Sequence, residues 1–426
     1  MNKLNVILIN SKINKCILNS TNNFINYIIN INDLSNYSIN KKINKINNII
    51  NIYDNINYVN IIFYNISNHI IINKIIVVLN NIIYSFKKKY NYNIIFLNKD
   101  YSLTKLIEPS NIMNELNLYK TIVLDPNKNP ISYLEYIKLR KPDNYNIDIF
   151  NTKTTDLFPL TNAVGMGSKY DSFFIHIFPK NNNLNKNLFL IGKGITFDTG
   201  GLNLKTGYFG DMKIDMTGSA IILSVLNLLV NNNIKTNYNI HLLLPIAENM
   251  IGNNAIRPGM VIKTISNKTV EIINTDAEGR LCIVDSIEYI LKYLKQNNDD
   301  VILDIATLTG NVDHISSGIS CVCVSNNKAS LILDKLIKIS EDVGEYLDKI
   351  IIRNEYLDLL ISPVADIKNI NENSKADCVI ASVFLNYFIN DVLPWIHLDL
   401  GCCVYKNNMV SSYGINLLYE FIKQIE

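Results

Sequence analysis

Glycine is confined to one part of this chain, and that confinement bounds what each part can build. All 17 glycines of the 426 residues lie from Gly165 onward. The first alanine is Ala163 and the first proline is Pro109. A segment without glycine makes its tight turns with Asn, Asp and Ser, which tolerate positive φ better than other side chains. Asn supplies 27 of the first 100 residues, so turns remain available there. Ile and Lys are also abundant, and all three have A/T-rich codons, so genomic base composition accounts for the bias. From about residue 150 the backbone has glycine for close approaches. The contrast predicts an N-terminal α/β scaffold domain over 1–100, a helical linker over 101–145 and a larger domain over 146–426.

Composition removes several function classes. Hydrophobic residues make up 48%, enough for a sizeable core, and charged residues only 18%. Lys+Arg 40 against Asp+Glu 38 gives +2, which argues against a strongly basic nucleic-acid binder. The run Lys87-Lys88-Lys89 reads as a solvated turn rather than a nucleic-acid patch. Seven cysteines without a C-x-x-C pair fit neither a disulfide framework nor a zinc knuckle, and point to a reducing compartment. No apolar run reaches the roughly 18 residues of a membrane span. The start, MNKLNVILINSKINK, lacks the apolar stretch of a signal peptide and reads as a first strand. The expectation is a cytoplasmic protein.

The second unit alternates strands and helices. Strands are expected at 187–191, 239–245, 301–306 and 395–400, with a hairpin over 261–273 turning near Ser266-Asn267-Lys268. Helices are expected at 218–230, 281–295, 331–352 and 411–425. Such alternation implies an α/β/α sandwich around a mixed, mostly parallel sheet, with chemistry at the carboxyl ends of its strands.

Three segments carry candidate chemistry: Gly192–Lys205 (GKGITFDTGGLNLK), Asp211–Gly218 (DMKIDMTG) and Asn274–Arg280 (NTDAEGR). Asp276, Glu278 and Arg280 are spaced by two, so in an extended segment they would share one face. Two carboxylates and a guanidinium together suit a bound cation or an anionic intermediate. Asp198 follows a strand and precedes Gly200-Gly201. Asp215 precedes an apolar helix, where it could also serve as a plain N-terminal cap. Gly192 and Gly194 complete neither phosphate-loop pattern. The five histidines show no H-E-x-x-H, so a histidine zinc site is not expected. G-x-S-x-G is absent, which disfavours a serine hydrolase. Cys282 sits on a helix with no nearby histidine and reads as packing. A metal here would be held mainly by carboxylates, and several in one place suit a two-ion centre.

NTDAEGRL at Asn274–Leu281 resembles the signature of the leucyl aminopeptidases, the dinuclear M17 metallopeptidases. GKGITFDTGGLNLK resembles the same family's first metal segment. The stretches ENMIGNNAIRPGMVIKTISNKTVEI, Ala306–Gly310 and Pro394–Asp399 agree as well. The likeness runs from about residue 145 to the C-terminus. It implies five metal ligands, Lys193, Asp198, Asp215, Asp276 and Glu278, and two catalytic side chains, Lys205 and Arg280. Met212, Leu308, Thr309 and Gly310 would line the substrate cleft. It further implies two divalent ions, Mn²⁺ or Zn²⁺, a bicarbonate on Arg280, peptide substrates, a small macro-like N-terminal domain and a homohexamer. The implied activity is release of N-terminal amino acids, apolar ones preferred, by a metal-bridged hydroxide. A DNA-binding regulatory hexamer or a catalytically silent one are the alternative functions. One departure stands out: the family usually has a Gly-Gly pair where this chain reads Ala376-Asp377-Cys378.

Overall fold

The computed structural model describes residues 103–426 except 295, 402, 407 and 408; before that it describes 2–9, 17–21, 24–30, 56–64, 91–96 and residue 76. The run Lys87-Lys88-Lys89 lies outside the described residues. The chain divides into two compact units: Met1–Leu118 with Asp342–Gly344, and Tyr119–Glu341 with Glu345–Glu426.

The first unit carries a sheet of β1 (Asn2–Ile9), β2 (Ile17–Thr21), β3 (Phe24–Asn30), β4 (Ile56–Tyr64) and β5 (Asn91–Phe96), ordered β2-β3-β1-β4-β5. All neighbours run parallel except β2 against β3. Isoleucine recurs in all five strands, and its branched Cβ suits a pleated surface. Within the opening segment Asn2–Ile9 is a strand, as its sequence suggests.

Helix α1 (Leu103–Leu124) contains the division between the units, and α2 (Pro130–Arg140) follows. Asn129 caps α2: its side chain accepts from Ile131 and Ser132, while Ser132 reciprocates and Pro130 fills the first turn.

The second unit continues with β6 (Tyr145–Asn151), α3 (Pro159–Gly165), β7 (Phe173–Pro179), β8 (Asn187–Gly192), β9 (Gly194–Asp198), α4 (Thr217–Asn231) and β10 (Asn239–Asn249). Next come β11 (Val261–Lys263), β12 (Thr269–Glu271), α5 (Gly279–Tyr293), β13 (Val301–Ala306), α6 (Val312–Ser316), β14 (Cys321–Ser325), α7 (Ser330–Val343) and β15 (Leu347–Lys349). The chain closes with β16 (Ile367–Lys368), α8 (Asp377–Ile389), β17 (Trp395–Asp399), β18 (Tyr405–Lys406), β19 (Met409–Val410) and α9 (Ile415–Gln424). The main sheet is ordered β15-β14-β17-β13-β8-β10-β7-β6, with β9 also on β10. Its centre, β17-β13-β8-β10, is parallel; β14 on β17, β7 on β10 and β6 on β7 are antiparallel. The sheet is therefore mixed and mostly parallel.

Both faces of this sheet are covered. Phe189 and Ile191 of β8 pack in one cluster with Leu281 and Val284 of α5 and Phe384 of α8. The alternate residues Leu188 and Leu190 are equally buried, and α4 packs on the same strand. Helix α4 is buried on every side from Thr217 to Leu229, as a helix enclosed by the core is. Gly210–Asn231 is long and apolar enough for a membrane span by composition, contrary to the reading of the sequence, but 89% of that window is buried inside the fold.

Two sequence expectations need correction. The helix expected over 331–352 stops at Val343, because Gly344 takes φ +76° and turns the chain into β15. The helix expected from 411 begins at Ile415, after Gly414 at φ +93°.

Candidate active site

Four parallel strand ends deliver the site. β8 ends at Gly192 and hands over Lys193, whose N–H donates to Ile305 O at 3.2 Å and whose carbonyl accepts from Ser219 N at 3.0 Å. This three-way junction explains Gly218: a Cβ there would meet Ile305 O at 2.1 Å. Gly192 likewise lets α4 approach at Ser219, and Gly194 lets β10 approach at Pro245 and Ile246, so the pair serves packing, not a phosphate loop. β9 ends at Asp198, and Gly200 and Gly201, at φ +86° and +64°, turn the chain back so that Lys205 N reaches Thr199 O at 2.9 Å. β13 ends at Ala306 and presents Thr307 to Gly310. β10 ends at Asn249.

Asp215 closes a 3-10 turn, Gly210–Ile214, just before α4. It is not the helix cap; Met216 holds that position without a side-chain bond. The Asp215 carboxylate instead lies 2.9 Å from Lys193 Nζ and accepts from Thr307 Oγ1 at 2.8 Å. Asp276 and Glu278 do not sit on an extended segment, as the alternation suggested. Thr275 and Asp276 form a turn, and Glu278 is already helical, at φ −80° and ψ −36°, directly before α5.

The result is two lysine ammoniums, each between two carboxylates. Lys193 Nζ is 2.9 Å from Asp215 and 2.8 Å from Glu278, and also donates to Thr307 O at 3.0 Å. Lys205 Nζ is 2.8 Å from Asp198 and pairs with Asp276. Asp198 is further held by Gly200 N and Asn249 Nδ2, at 2.9 and 2.8 Å. Oxygens of Asp198, Asp215 and Glu278 approach within 4.8 Å of one another, close enough to share one ion.

Charge in this cluster is out of balance. Asp198, Asp215, Asp276 and Glu278 offer four carboxylates against two ammoniums. Burial lifts the Asp215 carboxyl well above its usual range, with Glu278 and Asp198 adding to the effect against Lys193. Asp276 is raised too, by burial and by Asp198 and Glu278. Burial would lower the Lys193 ammonium, but Asp215, Glu278 and Asp198 outweigh it and hold it above the ordinary value. Asp215 Oδ2 and Glu278 Oε2 are buried without a hydrogen-bond partner among the described residues. Unpartnered buried carboxylate oxygens are costly, and a divalent cation is a group that satisfies them.

A cavity of about 580 Å³ opens over the cluster. Of the eleven residues singled out from the sequence, ten line it; Glu278 sits behind Lys193. Met212 and Leu308 form apolar wall, and Ile370, unsuspected from the sequence, joins them. Asp399 fixes the 307–310 loop, accepting from Leu308 N at 3.0 Å, Thr309 N at 3.2 Å and Thr309 Oγ1 at 2.6 Å. Arg280 is 1% exposed. Its Nη1 donates to Asn369 O and its Nη2 to Asp377 Oδ1, each at 2.9 Å. The guanidinium expected to hold a bicarbonate thus already has a carboxylate from its own chain. Asn249, Thr307, Asn369 and Asp377 were missed as site residues. Asn249 and Thr307 lay in stretches that resemble the family without a role assigned to them, Asp377 stood out as the odd residue where glycine was expected, and Asn369 left no signal.

Carboxylates and lysines converging at parallel strand ends, under a cavity with apolar wall, define an α/β enzyme with a metal-type centre. Residues 118–418 match the cytosol aminopeptidase family, catalytic domain. The chain is 33% identical over 347 residues to a probable cytosol aminopeptidase of Rickettsia typhi, covering 78% of this chain and 68% of that one. It is 34% identical over 351 residues to the cytosol aminopeptidase of Rickettsia prowazekii, covering 79% and 65%. Among solved structures it resembles a leucine aminopeptidase of Caenorhabditis elegans, with TM-score 0.86, 20% identity and coverage of 99% and 95%. It also resembles the bottromycin maturation enzyme BotP in complex with Mn, with TM-score 0.85, 18% identity and coverage of 99% and 98%. The chain belongs to the cytosol aminopeptidase family. Membership makes it a metal-dependent hydrolase of the aminopeptidase class.

Proposed function

We propose that the chain removes N-terminal amino acids, apolar ones preferred, from peptides, using two divalent ions held by Lys193, Asp198, Asp215, Asp276 and Glu278. The observation that carries this reading is the buried excess of carboxylate over ammonium, with unpartnered oxygens on Asp215 and Glu278. When bound, the ions would supply an acidified water and a Lewis acid for the scissile carbonyl. As a ligand, Lys193 has to give up its proton, which a cation in place of that charge favours. Lys205, 22% exposed on its side chain and reaching into the cavity, is suited to donate to the carbonyl oxygen as negative charge develops there. Met212, Leu308, Thr309 and Gly310 would form the wall against the substrate's first side chain. Manganese and zinc both suit this mixed oxygen and nitrogen donor set. The domain limits 1–100, 101–145 and 146–426, a cytoplasmic location and a homohexamer belong to the same reading. The DNA-binding and silent-hexamer alternatives leave the cavity and its buried charges without a use.

The amine at the substrate's N-terminus is what separates an aminopeptidase from a general hydrolase. A neutral amine can meet a cation; an acetylated one lacks the lone pair. Mass spectrometry of a mixed digest of free and N-acetylated leucyl peptides tests this. Stepwise loss from the free peptide alone is expected. Equal cleavage of both, or an internal cut, would overturn the reading.

A further inference from the structure

The cavity contains one carboxylate that no lysine holds and that faces a guanidinium instead. Asp377 is the first residue of α8, and Ala376 precedes it without a capping side chain. One oxygen, Oδ1, accepts from Arg280 Nη2 at 2.9 Å. The other makes no hydrogen bond to a described residue, and the side chain is 31% exposed where it lines the cavity. Arg280 itself is immobilised: 2% of its side chain is exposed and Asn369 O fixes its other amino group. A buried arginine with a backbone anchor on one side presents its partner carboxylate in one orientation.

Of the remaining cavity carboxylates, three are ion-paired to lysine and Asp211 has no cation among the described residues to orient it. Asp198, Asp215 and Asp276 are tied to Lys193 or Lys205, the set assigned above to cations. Asp211 accepts from Tyr405 Oη at 2.8 Å. No histidine lines the cavity among the described residues. Peptide hydrolysis needs an acceptor for a proton of the attacking water and a donor for the leaving amine. Asp377, held by a buried cation on one oxygen and open to the cavity on the other, is placed to do both.

We propose that Asp377, oriented by Arg280, is the proton carrier of the reaction and fills in cis the anion site of that arginine. The water oxygen bonds to the scissile carbonyl carbon as one of its protons passes to the Asp377 carboxylate. That proton then moves to the departing nitrogen as the C–N bond breaks. The products are a free amino acid and a peptide with a new N-terminal amine, and the carboxylate is restored. The chain therefore needs no diffusible bicarbonate.

This inference rests on the aminopeptidase reading for its rate arms only; a binding arm reads the anion site without turnover. Rates are measured on manganese-loaded protein in CO₂-free buffer with increasing sodium bicarbonate or sodium formate. The wild type should be indifferent to either anion. Asp377→Gly should lose about 10²–10⁴ in kcat, the usual worth of a general acid–base group, with KM changed little. The small anions should restore much of that rate by occupying the vacated place beside Arg280. Asp377→Asn keeps the bulk and loses the charge, so its rate should fall without rescue. Calorimetric titration of bicarbonate into metal-free protein should show a site in Asp377→Gly and none in the wild type. Wild-type activity that rises with bicarbonate, bicarbonate binding to the metal-free wild type, or Asp377→Asn turning over at the wild-type kcat would each overturn the proposal. If Asp377→Gly fails to fold, the wild type and Asp377→Asn decide alone. An inactive wild type with the expected calorimetry would instead count against the aminopeptidase reading.

Discussion

The two lysine corners of the site are built from the same parts and differ in their access to water. Lys193 lies between Asp215 and Glu278 with 3% of its side chain exposed, and its partners are as buried as it is. Lys205 lies between Asp198 and Asp276 with 22% exposed, and Asp276 is 33% exposed. Lys193 also follows a strand end pinned by backbone bonds to β13 and α4, whereas Lys205 sits on the loop after Gly200-Gly201. The same pairing can therefore serve two purposes. A sealed corner holds charge in place, while an open one can reach a substrate.

The largest expected effect comes from breaking the sealed corner. Glu278→Ala should abolish activity and remove bound metal. It also forfeits the stabilisation that bound ions lend the folded chain, so metal-loaded protein should unfold at lower denaturant than the wild type. Denaturant unfolding and elemental analysis read both effects. Asp276→Ala, in the open corner, should lose metal and activity with a smaller stability cost. Equal destabilisation by the two variants would erase the distinction between the corners.

Lys205→Ala comes next. Loss of one donor to a developing oxyanion costs about 10²–10³ in kcat. Metal content should stay at the wild-type level; a rate loss that tracks metal loss would move Lys205 into the ligand set. Gly279→Ala sharpens the sealed corner without deleting a functional side chain. Its Cβ would meet Lys193 Cε at 2.5 Å and Nζ at 2.7 Å, so the lysine has to shift. Activity and metal affinity should both fall, by less than in Glu278→Ala. Activity assays on metal-titrated protein show whether that position tolerates displacement.

What could be read from the sequence follows this division. Strand–helix alternation and the burial of Cys282 were visible because periodicity and apolar runs record packing directly. The carboxylates stood out as polar residues at strand ends. The reason given for Asp276 and Glu278 sharing a face was wrong, since a turn and a helix start, not strand alternation, bring them together. The contacts of Arg280 were illegible, because Asn369 and Asp377 lie 89 and 97 residues away and no local pattern marks them. The contact of Thr307 was hidden for a similar reason, its hydroxyl meeting Asp215 across 92 residues.

The smallest effect lies away from both corners. Glu345 is buried and accepts from Gly414 N at 3.0 Å and Leu417 N at 2.9 Å. Burial pushes its carboxyl up to about 7 against those two donors. A carboxyl raised on folding contributes stability that is present below its unfolded value and lost as pH rises through about 7. Glu345→Gln should therefore gain stability relative to the wild type as pH rises from about 5 to 8 and leave kcat unchanged; thermal unfolding across that range measures it.

The central claim is that the two corners together are a divalent-metal site on which peptide cleavage depends. Its most direct test strips the protein with a chelator, returns Mn²⁺ or Zn²⁺ stepwise, and follows bound metal and leucyl-peptide cleavage on the same samples. Two ions per chain are expected at saturation, with cleavage absent from the stripped protein and rising with occupancy. Undiminished cleavage by metal-free protein would contradict it.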